Sequence, residues 1–183
     1  MRRCQLFMLY CILTLTSCKE SEQESYFPLT NYIESELQSI DSLPVAIIHY
    51  KSEGNELDTL ILEKQEFRKI VHGLILNSID SSQFSNQFNE TVMEDVGIGL
   101  ITLSYIAKGN EQALKNIDIY VNSGSSLVKR IYFERIDFTP TIEIRRKMLW
   151  SIGKELKITS ILNNKDGITQ TRTDRYTWGI DNE

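Results

Sequence analysis

Cysteine is nearly absent: the sequence has three, at Cys4, Cys11 and Cys18, and none after that. No disulfide can therefore brace the body of the chain, and zinc sites built on thiolates are excluded there. Histidine is as scarce, with only His49 and His72. Three Pro and nine Gly in 183 residues are too few for a collagen-like or low-complexity chain. Positive charge is in deficit, 20 Lys/Arg against 25 Asp/Glu for a net charge of −5, which excludes a chain that binds nucleic acid through its overall field. Apolar runs long enough for repeated membrane spans are missing too. What remains is 41% hydrophobic and 25% charged, ordinary globular composition, and long enough for one domain with a sizeable core.

The exception to this ordinary pattern is the start. Met1-Arg2-Arg3 is basic, and an apolar run follows from Leu6 through Leu13 toward Thr16. That run falls short of the roughly 20 residues a membrane span needs. A basic start, a short apolar run and small residues describe a secretory signal peptide over 1–17. Leu15-Thr16-Ser17-Cys18 resembles the lipobox of bacterial lipoproteins. The resemblance implies cleavage before Cys18 and acylation of its thiol with a palmitate-type anchor; Lys19, in place of the Asp that retains enteric-type lipoproteins at the inner membrane, favours the outer membrane. Loss of Arg2 and Arg3 would take the charge from −5 to −7. Residues 18–26 then form a lipidated cysteine and an acidic tether, Lys19-Glu20-Ser21-Glu22-Gln23-Glu24. This stretch is also similar to the Lys-plus-acidic signal of surface-exposed Bacteroidota lipoproteins, with Ser21 interrupting the acidic pair. The periplasmic and cell-surface faces both stay open.

Residues 27–183 read as one α+β domain. Leu29, Tyr32, Ile33, Leu37 and Ile40 recur at steps of three and four after Pro28, predicting a helix over 28–40. Apolar stretches at 45–50 and 57–62 around Gly54-Asn55 predict a hairpin. Phe67, Ile70, Val71, Leu74 and Ile75 predict a second helix over 64–76, and the polar stretch 78–89 reads as a loop. From Thr91 the period becomes two, and the turn chemistry predicts a meander of about six strands near 92–107, 116–122, 127–136, 142–152, 155–162 and 168–178. The expected architecture is an antiparallel, curved sheet with two helices on one face. Helix, hairpin and β-rich second half, with the stretch from Arg146-Lys147-Met148-Leu149-Trp150 to Tyr176-Thr177-Trp178, resemble small, functionally uncharacterised lipoproteins of the Bacteroidota. The order is also similar, in topology alone, to the half-barrels of the lipoprotein-carrier superfamily, a likeness that bears little on function.

Catalytic signatures are absent. His72 sits off the apolar side of its helix and reads as solvated, while His49 reads as a hydrogen-bonded strand residue. Glu94 and Asp95, adjacent in a strand, should point to opposite faces and so cannot act as a pair across one substrate. Gly97-Ile98-Gly99 reads as a bulge in a long strand. No metal or cofactor motif is recognisable, and the chain is expected to be no enzyme.

Charge is distributed unevenly along the chain. Residues 18–126 carry 7 Lys/Arg and 17 Asp/Glu, a balance of −10; residues 127–183 carry 11 and 8, a balance of +3. Glu134, Glu143 and Asp174 are available to pair with the strand cations across the sheet. Alternation puts Arg146 on one face with Ile144, Met148 and Trp150, where a guanidinium needs a partner or a cavity. Arg146, Trp150, Arg172, Tyr176 and Trp178 are therefore the candidate ligand or partner face. Asp41-Ser42-Leu43 and Asp58-Thr59-Leu60 look like Bacteroidota O-glycosylation sequons, a pattern common by chance. The expected function is a lipid-anchored envelope protein that binds an apolar or amphiphilic ligand. The alternative is a structural or accessory subunit of an outer-membrane complex.

Overall fold

The computed structural model describes residues 26–165 and 167–179, so the signal segment and Cys18 lie outside the described residues. Helix α1, Leu29–Ser42, buries Leu29, Ile33, Leu37 and Ile40, one stripe of its surface. It runs two residues past the expected end and stops at Leu43, whose extended backbone suits the residue before Pro44. Strands β1, Ile47–Glu53, and β2, Glu56–Leu62, form the expected hairpin. Helix α2, Lys64–Leu74, buries Phe67 and Val71. Arg68 on α2 bonds Glu34 at 3.0 Å and Asp41 at 2.6 Å, and His72 lies 3.1 Å from Glu34, fastening α2 to α1.

The stretch read as a polar loop is more ordered than its composition suggests. A 3-10 turn at Leu76–Ser78 and a short helix α3, Phe84–Gln87, precede strand β3, Phe88–Asp95. Three apolar residues anchor this segment: Ile79, Phe84 and Phe88 are buried, and Phe84 stacks on Phe88 at 4.8 Å and meets Tyr105 edge-on at 5.0 Å. Their spacing follows neither the helix nor the strand period, so periodicity does not reveal them.

The meander then continues through β4, Leu100–Ala107; β5, Leu114–Asn122; β6, Val128–Phe138; β7, Ile142–Ser151; β8, Glu155–Asn164; and β9, Thr169–Thr177. The region expected as one strand over 92–107 is two, and Gly97-Ile98-Gly99 forms the turn between them rather than a bulge. Asp95 Oδ1 accepts from Gly97 N at 3.0 Å, and Gly99 takes φ +64°, where a side chain would be strained.

One open sheet of nine strands results, in the order β2-β1-β9-β8-β7-β6-β5-β4-β3, with every neighbour antiparallel. The class is α+β as expected, with more strands than the sequence pattern shows. The N-terminal hairpin joins the last strand of the meander, so β2 and β3 become opposite edges. The chain must therefore cross the sheet between them, roughly 38 Å at 4.8 Å per strand. Residues 63–87 make that crossing and carry α2. Buried residues of α1 and α2 join one core with the inward-facing residues of the sheet. Phe67 makes its centre, with ring centroids 6.3 Å from Trp150, 5.6 Å from Tyr176 and 5.2 Å from Trp178. Among the described residues, no helix is long and apolar enough to cross a membrane.

Candidate functional site

Strand alternation fixes two faces. Several outward-facing arginines are matched locally: Arg145 reaches Glu134 at 3.0 Å and Glu143 at 3.7 Å, Arg130 lies over the Tyr120 ring, and Arg175 over the Tyr50 ring. Lys147 and Lys157 on the same face are exposed to solvent.

The inward face differs along its length. Register places Leu156 between Trp150 and Tyr176 on neighbouring strands, and Ile158 between Met148 and Asp174. One step further along the strands the pattern turns polar. Arg135 on β6 faces Arg146 on β7, Arg146 faces Ser160 on β8, Ser160 faces Arg172 on β9, and Arg172 faces Glu53 on β1. Beyond this row, Ile144 faces Leu162, and Leu162 faces Gln170.

Above the polar row the helix and sheet part. A cleft of about 540 Å³ opens between α2 and strands β7, β8, β9 and β1. Its roof is Lys69, Ile70, Gly73 and Leu74; its floor includes Ile144, Ile158, Leu162 and Tyr176 together with Arg146, Ser160 and Arg172. The size is typical of small-molecule sites. Helix α2 is held over it from both ends. Phe67 packs into the aromatic core, and at the other end Arg135 Nη1 donates to the Leu74 carbonyl at 2.9 Å. A cation at a helix C-terminus also meets the negative end of the helix dipole. Gly73 leaves open space on the roof: a Cβ built there would meet nothing within 4 Å.

The charges in and beside the cleft form two linked groups. Asp137 accepts from Arg135 Nε and Nη2, at 2.9 Å and 2.7 Å, and is also paired with Arg146 Nη1. The Arg135 hydrogen bonds, with Arg146 nearby, hold the Asp137 carboxyl below its ordinary pKa despite its partial burial. One carboxylate thus serves two guanidiniums. Asp174, only 5% exposed, takes Arg172 Nη2 at 2.7 Å and lies 2.8 Å from His49 Nε2, with His49 stacked on Tyr176. Burial, reinforced by Asp174, pushes the Tyr176 phenol up to about 12, so it stays protonated. Arg172 Nε is buried and has no hydrogen-bond partner among the described residues. Leaving such a donor unsatisfied costs about 1–3 kcal/mol.

Of the five residues picked out in the sequence, Arg146, Arg172 and Tyr176 line this cleft. Trp150 and Trp178 do not: at 0% and 2% exposure they pack against Phe67 in the core, which corrects their assignment to a ligand or partner face. The physical reason is that α2 packs directly on the tryptophans through Phe67 but stands off from the charged end, leaving the cleft between. Ser42 and Thr59 are exposed, one at the end of α1 and the other on edge strand β2. Ser160, Lys69 and Gly73 escape a reading by pattern. Ser160 does interrupt Leu156, Ile158 and Leu162 at period two, as Arg146 interrupts its strand, but only register shows the interruptions in line. Among the described residues, no group of three or more His, Cys, Asp or Glu is placed to hold a metal ion. Compared with known proteins, the chain matches no family model, no curated protein and no solved structure.

Proposed function

We propose that this is a non-catalytic, lipid-anchored binding protein of the bacterial outer membrane, whose cleft under α2 takes an amphiphilic ligand. The single observation that carries the reading is the cleft itself, with aliphatic walls and a floor crossed by arginines. An apolar ligand alone would leave these guanidiniums facing hydrocarbon; a purely polar one would leave Ile70, Leu74, Ile144 and Leu162 wet. The non-catalytic reading rests on the neighbours of Ser160, the serine hydroxyl lining the cleft. Arg146 and Arg172 flank it across the strands, and a guanidinium takes no proton from a nucleophile.

Anchoring rests on the Leu15–Cys18 motif and is tested apart from the cleft. Wild-type protein should incorporate labelled palmitate and sediment with membranes, whereas Cys18→Ala should do neither. A mutant that is still labelled and still sediments sinks the anchor. The binding reading is tested by extracting lipid from the purified protein and from Gly73→Phe, whose ring would take up part of the cleft that Gly73 lines. Co-purifying amphiphile in the first and none in the second is the expected result; equal amounts would count against the cleft.

A further inference from the structure

The polar row on the cleft floor has a composition that the fold alone does not require. Arg135 and Arg146 are direct cross-strand neighbours of like charge, an arrangement that weakens a sheet unless something compensates. Asp137 compensates them together and leaves one positive charge over. On the other side of Ser160, Arg172 spends Nη2 on Asp174 while its buried Nε has no acceptor. Ser160 itself is 8% exposed, with a hydroxyl between the two arginines. Lys69, on the roof, has no ion-pair partner among the described residues, and Glu53, which faces Arg172 in register and attracts its charge, also lies 3.8 Å from Lys51.

Excess cations, an unused buried donor and a hydroxyl therefore lie along one row of a cleft that also holds aliphatic side chains and, beside them, Glu53, Gln170 and Asp174. We propose that Arg146, Ser160 and Arg172 form an anion seat for the carboxylate or phosphate head of a single-chain amphiphile, with the chain lying against Ile158 beneath Ile70 and Leu74. Guanidiniums suit such heads because their N–H groups donate in pairs to two oxygens. The head supplies the acceptor that Arg172 Nε lacks and balances the charge that Asp137 leaves. This inference rests on the binding reading above and adds the sign and place of the head group.

The test uses the full-length protein in discs of neutral phosphatidylcholine, with titrations into empty discs subtracted. Decanoate, 1-decanol and inorganic phosphate are titrated by calorimetry into wild type, Arg172→Gln, Arg172→Lys, Ser160→Ala and Gly73→Phe. Decanoate should bind wild type at least tenfold more tightly than 1-decanol. Arg172→Gln should remove that preference while leaving 1-decanol unchanged. Arg172→Lys should restore it only in part, since it keeps the charge and loses the Nε donor. Equal binding of decanoate and 1-decanol overturns the anion seat and leaves the cleft reading standing. No binding of either to wild type, or unchanged binding in Gly73→Phe, overturns the cleft reading itself. Inorganic phosphate bound as tightly as decanoate would make the row a site for free anions and overturn the amphiphile. If the arginine variants fail to fold, the comparison of three probes on wild type still decides.

Discussion

The two ends of one sheet face, under one helix, behave differently. At one end Phe67 closes down on Trp150 and Trp178, with Tyr176 at the border of the cleft. At the other, Ile70, Gly73 and Leu74 stand off from Arg146, Ser160 and Arg172, and a cleft opens. Backbone geometry is the same in both places, antiparallel strands in continuous register. The difference lies in what each side chain loses on leaving water. Aromatic rings gain by burial, so helix and sheet close together. Guanidiniums lose hydration on burial, so they keep a wet or liganded space open. The cleft is therefore a consequence of side-chain chemistry rather than of a gap in the fold.

Breaking the closed end should have the largest effect. Phe67→Ala removes the ring at the centre of the aromatic cluster and should destabilise the fold by about 3–5 kcal/mol, read by chemical denaturation. A loss under about 1 kcal/mol would show that the closed end does not depend on Phe67. Next comes Asp174, where the two ends meet. Asp174→Asn takes the charged acceptor from Arg172 and from His49, and a cost of about 1–3 kcal/mol is expected. A melting temperature that stays at the wild-type value would show the carboxylate to be dispensable.

Two smaller changes sharpen the comparison at the open end. Gly73→Ala puts a methyl group where nothing lies within 4 Å and replaces a poor helix former. It should stabilise by about 0.5–1 kcal/mol, and a destabilised variant would mean the cleft is narrower than described. Arg146→Met should change stability by less than about 0.5 kcal/mol. Asp137 keeps its bonds to Arg135, and both Arg146 and Asp137 are partly exposed, which limits what their ion pair contributes. A loss of several kcal/mol would make Arg146 a structural member of the core instead.

Much of the fold was legible because it rests on local signals. The stripe Leu29, Ile33, Leu37, Ile40 marks α1, and Phe67 with Val71 marks α2. Turn residues mark most strand boundaries from Asn122 onward. The miscounted strand failed for a definite reason: Val96 and Ile98 are apolar in a turn, and a β-like composition hid the reversal that Asp95 and Gly99 impose. Likewise Phe84 was hidden in polar sequence because one of its partners, Tyr105, is distant in the chain.

The candidate site was legible by half. Arg146 betrays itself by standing among Ile144, Met148 and Trp150 on one strand face, since alternation is a property of sequence alone. Its alignment with Ser160 and Arg172 is not: those residues are 14 and 26 positions away, and only the pairing of three strands puts them side by side. Which aromatic residues are core and which line a cleft was also undetermined, because Trp150, Tyr176 and Trp178 share one face and differ only in how closely α2 covers them. The sequence by itself determined both long helices, the hairpin and the later strands, their faces and the charge that breaks the pattern, all set by neighbours a few residues apart. Tertiary structure alone decided where the crossing helix closes and where it stands away, because that depends on side chains brought together from β1, β7, β8, β9 and α2.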